Sequence, residues 1–228
     1  MFDALSPPIE KIYNSTFALG HRAVAFTGAE HDVGVTSIAT ALAQRCANGG
    51  KSTLLVDMTG AAAQPEHSSW FEPGDGSASQ AVEAHELGFD ILKVVPNNKS
   101  IFAFRSVQKL LALLKLDLAR YDAIIVDTAP ASDLIQAAIP ACISAAACDC
   151  VVLILPSETM TKAIIDQRCA DLRFAGARIN GIVVNRRDSN TLAAEIAREM
   201  RRFERVLPRI SRWLQSAALN SPLLSTIE

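Results

Sequence analysis

The chain has 228 residues, of which 50% are apolar, 20% charged and 6% aromatic, and its net charge is -2. This balance excludes a disordered chain, a collagen and a disulfide-built miniprotein. The near-neutral charge gives no overall attraction to nucleic acid or acidic lipid, so we expect no nucleic-acid partner. The odd number of cysteines, five, and a start without a basic and apolar leader predict a reducing bacterial cytoplasm as the location.

Short apolar runs predict the strands of a buried, mainly parallel sheet. These runs are residues 23–27, 53–56, 91–95, 123–126, 151–155 and 181–184. Segments of helical length suit right-handed crossovers between the strands. The segments are residues 36–47, 107–118, 133–147, 161–174 and 192–205. The sequence therefore predicts a doubly wound α/β fold, a parallel sheet flanked by helices.

No linker or internal repeat divides the sequence. We predict a single domain over residues 1–228, with residues 1–20 as an N-terminal extension or helix and residues 59–88 as a long irregular excursion. Residues 134–156 are nearly all apolar, but Gln136, Pro140 and Asp149 interrupt them. This stretch predicts a buried helix followed by a buried strand, so we expect no transmembrane segment.

The residues after the first predicted strand are typical of a phosphate-binding loop. Such a loop needs small residues for tight curvature, amides at a helix N-terminus, a lysine for phosphate charge and a hydroxyl for magnesium. Residues 29–36 have the right length and keep Gly34 and Thr36, but Val35 stands where the lysine belongs. The predicted cofactor-binding residues are Ala29, Glu30, His31, Asp32, Val33, Gly34, Val35, Thr36 and Ser37.

A second match to a phosphate loop, at residues 50–52, is weaker. Arg45 stands where its first glycine belongs, and the segment precedes a strand instead of opening a helix. We therefore interpret Lys51 as an ordinary loop residue.

Two aspartates end predicted strands, Asp57 after the second and Asp127 after the fourth. A carboxylate at the end of a buried strand is costly unless it has a task, such as holding magnesium or positioning an attacking hydroxyl or water. Both are candidate catalytic residues, and together with Thr36 they are candidate Mg²⁺ ligands. The alternative is that each one caps the following turn.

These features occur in the order found in the MinD/ParA-like P-loop superfamily, which the chain resembles over residues 10–222. The resemblance rests on the 29–36 loop, the 50–57 run, the Walker B run at 121–130 and the 181–186 run. It implies binding of ATP or ADP with Mg²⁺, and it places Asn185 beside the nucleotide base. Arg186 is a further cofactor-binding candidate and the first suspect for a cation that replaces the missing lysine.

Departures from the superfamily pattern indicate the branch. The partitioning and division-site ATPases place a signature lysine where this chain has Glu30, so both phosphate-facing lysines are absent. The chain resembles more closely the bacterial tyrosine kinases of exopolysaccharide and capsule systems, which lack that first lysine. However, it has only Tyr13 and Tyr121 where those kinases have a tyrosine-rich tail, and Thr59 replaces the second Asp of their Asp-x-Asp motif. The resemblance therefore implies a degenerate pseudoenzyme with weak or no ATP hydrolysis and no autokinase activity.

Three functions remain open at this point. The first is a regulator or scaffold in bacterial exopolysaccharide biosynthesis or export, cytoplasmic and held at the inner membrane only through a protein partner of that system. The second is an active ATPase switch that positions a complex or cargo, and the third is an interaction module with an empty pocket. A homodimer is compatible with each.

Eight of the 22 basic residues lie between Arg186 and Arg212. The segment is interpreted either as the solvated face of a packing helix or as a surface for phospholipid or DNA.

Overall fold

The computed structural model describes residues 2–60, 71–97, 100–133, 137–157 and 160–185. Within these ranges the chain forms seven strands. They are β1 (Ala23–Gly28), β2 (Thr53–Met58), β3 (Val82–Ala84), β4 (Asp90–Lys93), β5 (Ala123–Thr128), β6 (Cys150–Pro156) and β7 (Ile179–Asn185). Every residue of β1 and β5 is buried, because these strands lie between two layers of helices.

The strands form one sheet in the order β3-β4-β2-β5-β1-β6-β7. All pairings are parallel except that of β3 with β4. This arrangement confirms the predicted doubly wound, mainly parallel fold. The short antiparallel strand β3 was not predicted, because three residues at a sheet edge carry no readable alternation of apolar and polar side chains.

Six α-helices lie in the described ranges. They are α1 (Pro7–Ser15), α2 (Val35–Asn48), α3 (Ile101–Phe104), α4 (Val107–Ala112), α5 (Ala141–Ala146) and α6 (Lys162–Phe174). Helices α2 and α6 agree with the predicted segments. The predicted helix at 107–118 is instead α4 followed by a π-helical turn, Leu113–Asp117. The predicted helix at 192–205 lies outside the described residues.

The helix predicted at 133–147 is wrong in its start. Among the described residues, only Ala141–Ala146 are helical there. Pro140 is the N-cap residue with ψ 137°, and proline disfavours a helical residue before it, so the helix begins only after this position. Asp133 consequently lies in the turn after β5, where its N–H donates to the carbonyl of Pro130 at 3.0 Å.

The two faces of the sheet carry separate apolar clusters. Helices α1 and α2 cover one face through residues such as Ile9 and Leu42, whereas α4, α5 and α6 cover the other through residues such as Leu110 and Leu172. From β1 the chain proceeds to β2 on one side of the sheet, and from β5 it proceeds to β6 on the other. The topology therefore opens a crevice between the carboxyl ends of β1 and β5, where ligands bind in such sheets.

The sheet and its helices form a compact unit that ends at Asn185. Within the described ranges, no helix combines the length and apolar character needed to cross a bilayer. The basic segment at 186–212 lies outside the described residues, and a single domain over residues 1–228 stays a prediction.

Candidate phosphate-binding site

The loop after β1 is tightly curved at Gly28 and Gly34. A methyl group on Gly28 would lie 2.6 Å from the carbonyl oxygen of Glu30, so no side chain fits there. Gly34 has φ 87° and Asp32 has φ 56°, left-handed conformations that favour glycine and, among other residues, aspartate. The backbone of the loop therefore comes closest to itself at Gly28. This residue lies one position before the predicted phosphate-binding loop, which begins at Ala29.

Hydrogen bonds from the neighbouring strands hold the start of this loop. The N–H of Ala29 donates to the carbonyl of Ile154 on β6 at 2.8 Å. The N–H of Ala131, in the turn after β5, donates to the carbonyl of Gly28 at 2.7 Å. The N–H of Ala29 is therefore already bonded to the sheet and is not free to bind a ligand. The predicted phosphate contacts must come from the residues after Ala29.

Asn185 holds the far side of the same loop. Its side chain is buried, and Nδ2–H donates to the carbonyl of Val33 at 2.8 Å. The role beside a nucleotide base, implied by the resemblance, stays a prediction. The structure adds a positioning role, because this bond ties the end of β7 to the loop after β1.

Replacing Asn185 with alanine is expected to lower the free energy of unfolding by about 1–3 kcal/mol, since it leaves the carbonyl of Val33 without its partner. Asn180→Ala on the same strand is the matched control. The exposed Asn180 donates to the carbonyl of Ser15 at 2.8 Å, and its loss is expected to change the stability by no more than about 0.5 kcal/mol. Chemical denaturation of both variants measures the difference, and equal losses would contradict the positioning role.

Helix α2 begins directly at the end of the loop. Its N-cap residue, Gly34, has no side chain to accept from the first turn, and the first helical bond runs from Ile38 N–H to the carbonyl of Gly34 at 3.1 Å. The amides of Val35, Thr36 and Ser37 therefore have no acceptor within the helix. A 14-residue helix adds the partial positive charge of its dipole at this end, which favours an anion.

The three predicted magnesium ligands come together beside this helix end. Asp57 on β2 and Asp127 on β5 are register partners on neighbouring parallel strands, so they share a face of the sheet. The Thr36 hydroxyl of α2 is close enough to the Asp127 carboxylate to favour its ionised form. Two carboxylates and a hydroxyl form an all-oxygen set, which is the donor chemistry that Mg²⁺ prefers.

Asp127 is the most buried ionisable group of this set. Its exposure is 1%, and its Oδ1 has no hydrogen-bond partner among the described residues. Burial, together with the charge of Asp57, raises the pKa of Asp127 to about 7, although the nearby Thr36 hydroxyl lowers it. An unsatisfied buried carboxylate is costly, and a bound cation would satisfy it, so the residues present fit the magnesium ion.

The alternative of turn capping applies to Asp57. Its Oδ1 accepts from the N–H and from the hydroxyl of Thr59, at 2.9 and 2.7 Å. Thr59, the residue that replaces the second aspartate of the kinase motif, therefore orients Asp57 instead of adding a carboxylate to the site.

Val35 gives the site no charge. It is half-buried and packs against the apolar cluster beneath α1 and α2. Residues 28–37, 57–60 and 127–133 contain no lysine or arginine, and His31 is their only basic residue. Arg186, the suspected substitute cation, lies outside the described residues.

The second loop match takes no part in this site. Ser52 donates from its N–H and from its hydroxyl to Asp122 Oδ2, at 3.0 and 2.7 Å. These contacts lie at the amino ends of β2 and β5, opposite the crevice, so Lys51 is the loop residue that the sequence predicted.

Sequence analysis missed one residue of the site, Asp133. Its Oδ2 lies 2.9 Å from Nε2 of His31. The sequence pattern predicts Asp133 at the start of a helix, whereas the helix begins at Ala141. The signal that would have found it is its position a few residues after a strand that ends in Asp127, at the edge of the sheet where ligands bind.

No protein-family model matches the sequence, and no curated protein matches it significantly. Solved structures do. The VpsO kinase domain is 23% identical, with a TM-score of 0.61 over 80% of this chain and 93% of that one. The kinase domain of the Escherichia coli tyrosine kinase ETK is 22% identical, with a TM-score of 0.60 over 79% and 74% of the two chains.

The division protein MinD of Aquifex aeolicus is also similar, at 18% identity and a TM-score of 0.51 over 72% of this chain and 68% of that one. These likenesses confirm the resemblance predicted from the motifs at the level of the fold. The chain thus shares its fold with these bacterial kinase domains and with MinD.

Proposed function

We propose that this chain is a P-loop protein that binds ATP or ADP weakly and acts as a regulator or scaffold in bacterial exopolysaccharide biosynthesis or export. The observation that carries the nucleotide part is the buried Oδ1 of Asp127, which has no hydrogen-bond partner among the described residues and lies beside Thr36 and the start of α2. A cation at that carboxylate and a phosphate at the helix amides would each meet a complementary group.

The residues divide the tasks of binding. The amides of Val35 to Ser37 would receive phosphate oxygens, while Thr36, Asp57 and Asp127 would hold Mg²⁺. The magnesium ion, when bound, supplies positive charge next to the phosphates. Asp57 is held in place by Thr59, and Asn185 keeps the loop in position through Val33.

We expect slow ATP hydrolysis because the loop lacks its lysine. Phosphoryl transfer depends on positive charge placed where negative charge develops. Because Val35 replaces the lysine and Glu30 occupies the signature-lysine position, we propose that hydrolysis by the isolated protein is at background level.

The two tyrosines also support a protein without autokinase activity. Tyr121 is 4% exposed, and its hydroxyl donates to Asp90 Oδ2 at 2.6 Å. The ring of Tyr13 lies under the Arg45 guanidinium at 4.2 Å from the ring centroid. The hydroxyl of Tyr121 is therefore not accessible to a phosphoryl donor in this fold, and the ring of Tyr13 is partly covered.

The place in an exopolysaccharide system rests on the resemblance to tyrosine kinases of those systems and on the fold shared with kinase domains such as that of VpsO. In this proposal the protein is cytoplasmic, and a protein partner of the assembly machinery brings it to the inner membrane. Loss of that partner from pull-downs with the Asp127→Asn variant would link the pocket to the assembly role.

Calorimetry with ATP and ADP, with and without Mg²⁺, tests the nucleotide part. Loss of one charged hydrogen bond weakens phosphate binding roughly ten- to a hundredfold, so we expect dissociation constants in the high micromolar range. Nanomolar binding with steady hydrolysis would favour the active ATPase switch, whose magnesium residues are all present. Absence of binding at millimolar nucleotide would favour the interaction module with an empty pocket.

A further inference from the structure

His31 and Asp133 connect the two loops that flank the crevice. His31 belongs to the loop after β1, Asp133 belongs to the turn after β5, and their Nε2 and Oδ2 atoms are 2.9 Å apart. The side chain of His31 is 65% exposed and that of Asp133 is 23% exposed. The contact therefore lies at the open side of the crevice, where an entering anion would meet it.

His31 is a basic side chain among loop segments that otherwise carry only negative charge. The loop segments at 28–37, 57–60 and 127–133 carry five carboxylates, on Glu30, Asp32, Asp57, Asp127 and Asp133. A phosphate that approaches the amides of α2 passes through this negative field, which opposes it. His31 is the basic side chain that these segments offer in compensation.

The chemistry of the contact indicates which group donates. An imidazole nitrogen 2.9 Å from a carboxylate oxygen must carry the proton, because two lone pairs at that distance would repel each other. Asp133 thereby selects the state of His31 in which Nε2 is a donor. A phosphate oxygen is an acceptor of the same kind as the carboxylate oxygen that now faces Nε2.

We propose that His31 is a phosphate-recognising side chain of this pocket and that Asp133 competes with the phosphate for it. The proposal rests on the proposed nucleotide binding and names the residue that takes part of the role of the missing lysine. On binding, Nε2 exchanges the Asp133 carboxylate for a phosphate oxygen, and no covalent bond changes. Asp133 is then a positioning residue that also weakens phosphate binding.

The test is calorimetric titration of the full chain with ADP, with and without Mg²⁺. Asp133→Asn removes the competing charge, so we expect ADP to bind about three- to tenfold more tightly. His31→Ala removes the donor and is expected to weaken binding about tenfold. If Asp133 competes with phosphate for His31, the two substitutions change the affinity for ADP in opposite directions. If the contact only holds the two loops together, either substitution breaks it and both change the affinity in the same direction.

Glu86→Gln is the charge-matched control, because it removes one negative charge from an exposed residue between β3 and β4, at the amino end of β4 and away from the crevice, without releasing His31. The affinity of this control variant for ADP is expected to rise by less than about twofold, since an exposed charge is screened by solvent. The double variant His31→Ala/Asp133→Asn should lose the gain of the single Asp133 variant. Thermal unfolding of each variant verifies that it is folded.

The outcomes separate this inference from the function on which it rests. If the unmodified protein binds ADP and the Asp133→Asn variant binds no better, the competition is overturned while the nucleotide-binding proposal stands. A similar gain in ADP affinity for Glu86→Gln and Asp133→Asn would also overturn it, in favour of general electrostatics. If neither the unmodified protein nor Asp133→Asn binds ADP at millimolar concentration, both proposals fail.

Discussion

Replacing Val35 with lysine is expected to convert the pocket into one that hydrolyses ATP. The lysine would bring positive charge to the amide-lined end of α2, while Thr36, Asp57 and Asp127 already stand beside it. A single well-placed cation or donor is worth roughly a hundred- to a thousandfold in rate. Phosphate binding should also strengthen, by about ten- to a hundredfold. Release of inorganic phosphate and calorimetry measure the two effects.

The control is Val35→Gln, which reaches a similar distance without charge. The half-buried position accepts a long side chain when its stem lies along the apolar surface and its head reaches the crevice. Adding Asp127→Asn to Val35→Lys should abolish the gain. If Val35→Lys binds phosphate better but remains without turnover, the pocket lacks more than the lysine, and the proposed origin of the weak chemistry would be wrong.

Asp127→Asn is expected to stabilise the protein at pH 8 in the absence of nucleotide and magnesium. Desolvation by burial holds the pKa of Asp127 at about 7 in the folded protein, against an ordinary value of 3.8. Each pKa unit corresponds to about 1.4 kcal/mol, so the ionised carboxylate lowers the stability by up to about 4 kcal/mol. Asparagine has the same shape and avoids that cost.

The sign of the pH dependence follows from proton binding. Between about pH 4 and pH 7 the folded protein keeps the Asp127 proton that the unfolded chain has lost, so this group's stabilising contribution declines as the pH rises through that window. The difference in stability between Asp127→Asn and the unmodified protein should therefore be small at pH 4.5 and reach its full value at pH 8. Denaturant unfolding in a chelating buffer at both pH values measures it.

Asp57→Asn serves as the neighbouring control for this measurement. Its charge is a smaller cause of the raised pKa of Asp127 than burial is. In the Asp57→Asn variant the stability should therefore still decline as the pH rises, but over a narrower range of pH. A stability difference for Asp127→Asn that does not change between pH 4.5 and pH 8 would contradict the buried, protonated carboxylate.

The weak-binding proposal and the shape of the pocket are consistent with each other. The loop, the helix amides and the magnesium residues depend on backbone geometry and strand register, which the sheet maintains without a lysine. What the pocket lacks for phosphate chemistry is positive charge, because Val35 and Glu30 stand where the resemblance implies lysines. A pocket that binds nucleotide without fast hydrolysis is compatible with the proposed role as a regulator or scaffold.

The sequence by itself determined the sheet, the loop and the two strand-end aspartates. Buried parallel strands such as β1 and β5 are continuous apolar runs, and local composition is enough to identify them. The order of the motifs along the chain then indicated the fold, and the residue at position 35 showed that the loop lacks its lysine. These are properties of neighbouring residues, which a sequence states directly.

The tertiary structure alone decided which distant groups meet. The pairing of His31 with Asp133 and the bond from Asn185 to Val33 each join residues that are far apart in the sequence. The burial of Asp127 Oδ1 without a hydrogen-bond partner among the described residues likewise depends on the layers packed around β5. Local pattern placed Asp133 in a helix, because the apolar run after it conceals the effect of Pro140 on where the helix starts. Contacts of this kind depend on strand order and register, and these are set by the packing of the whole sheet.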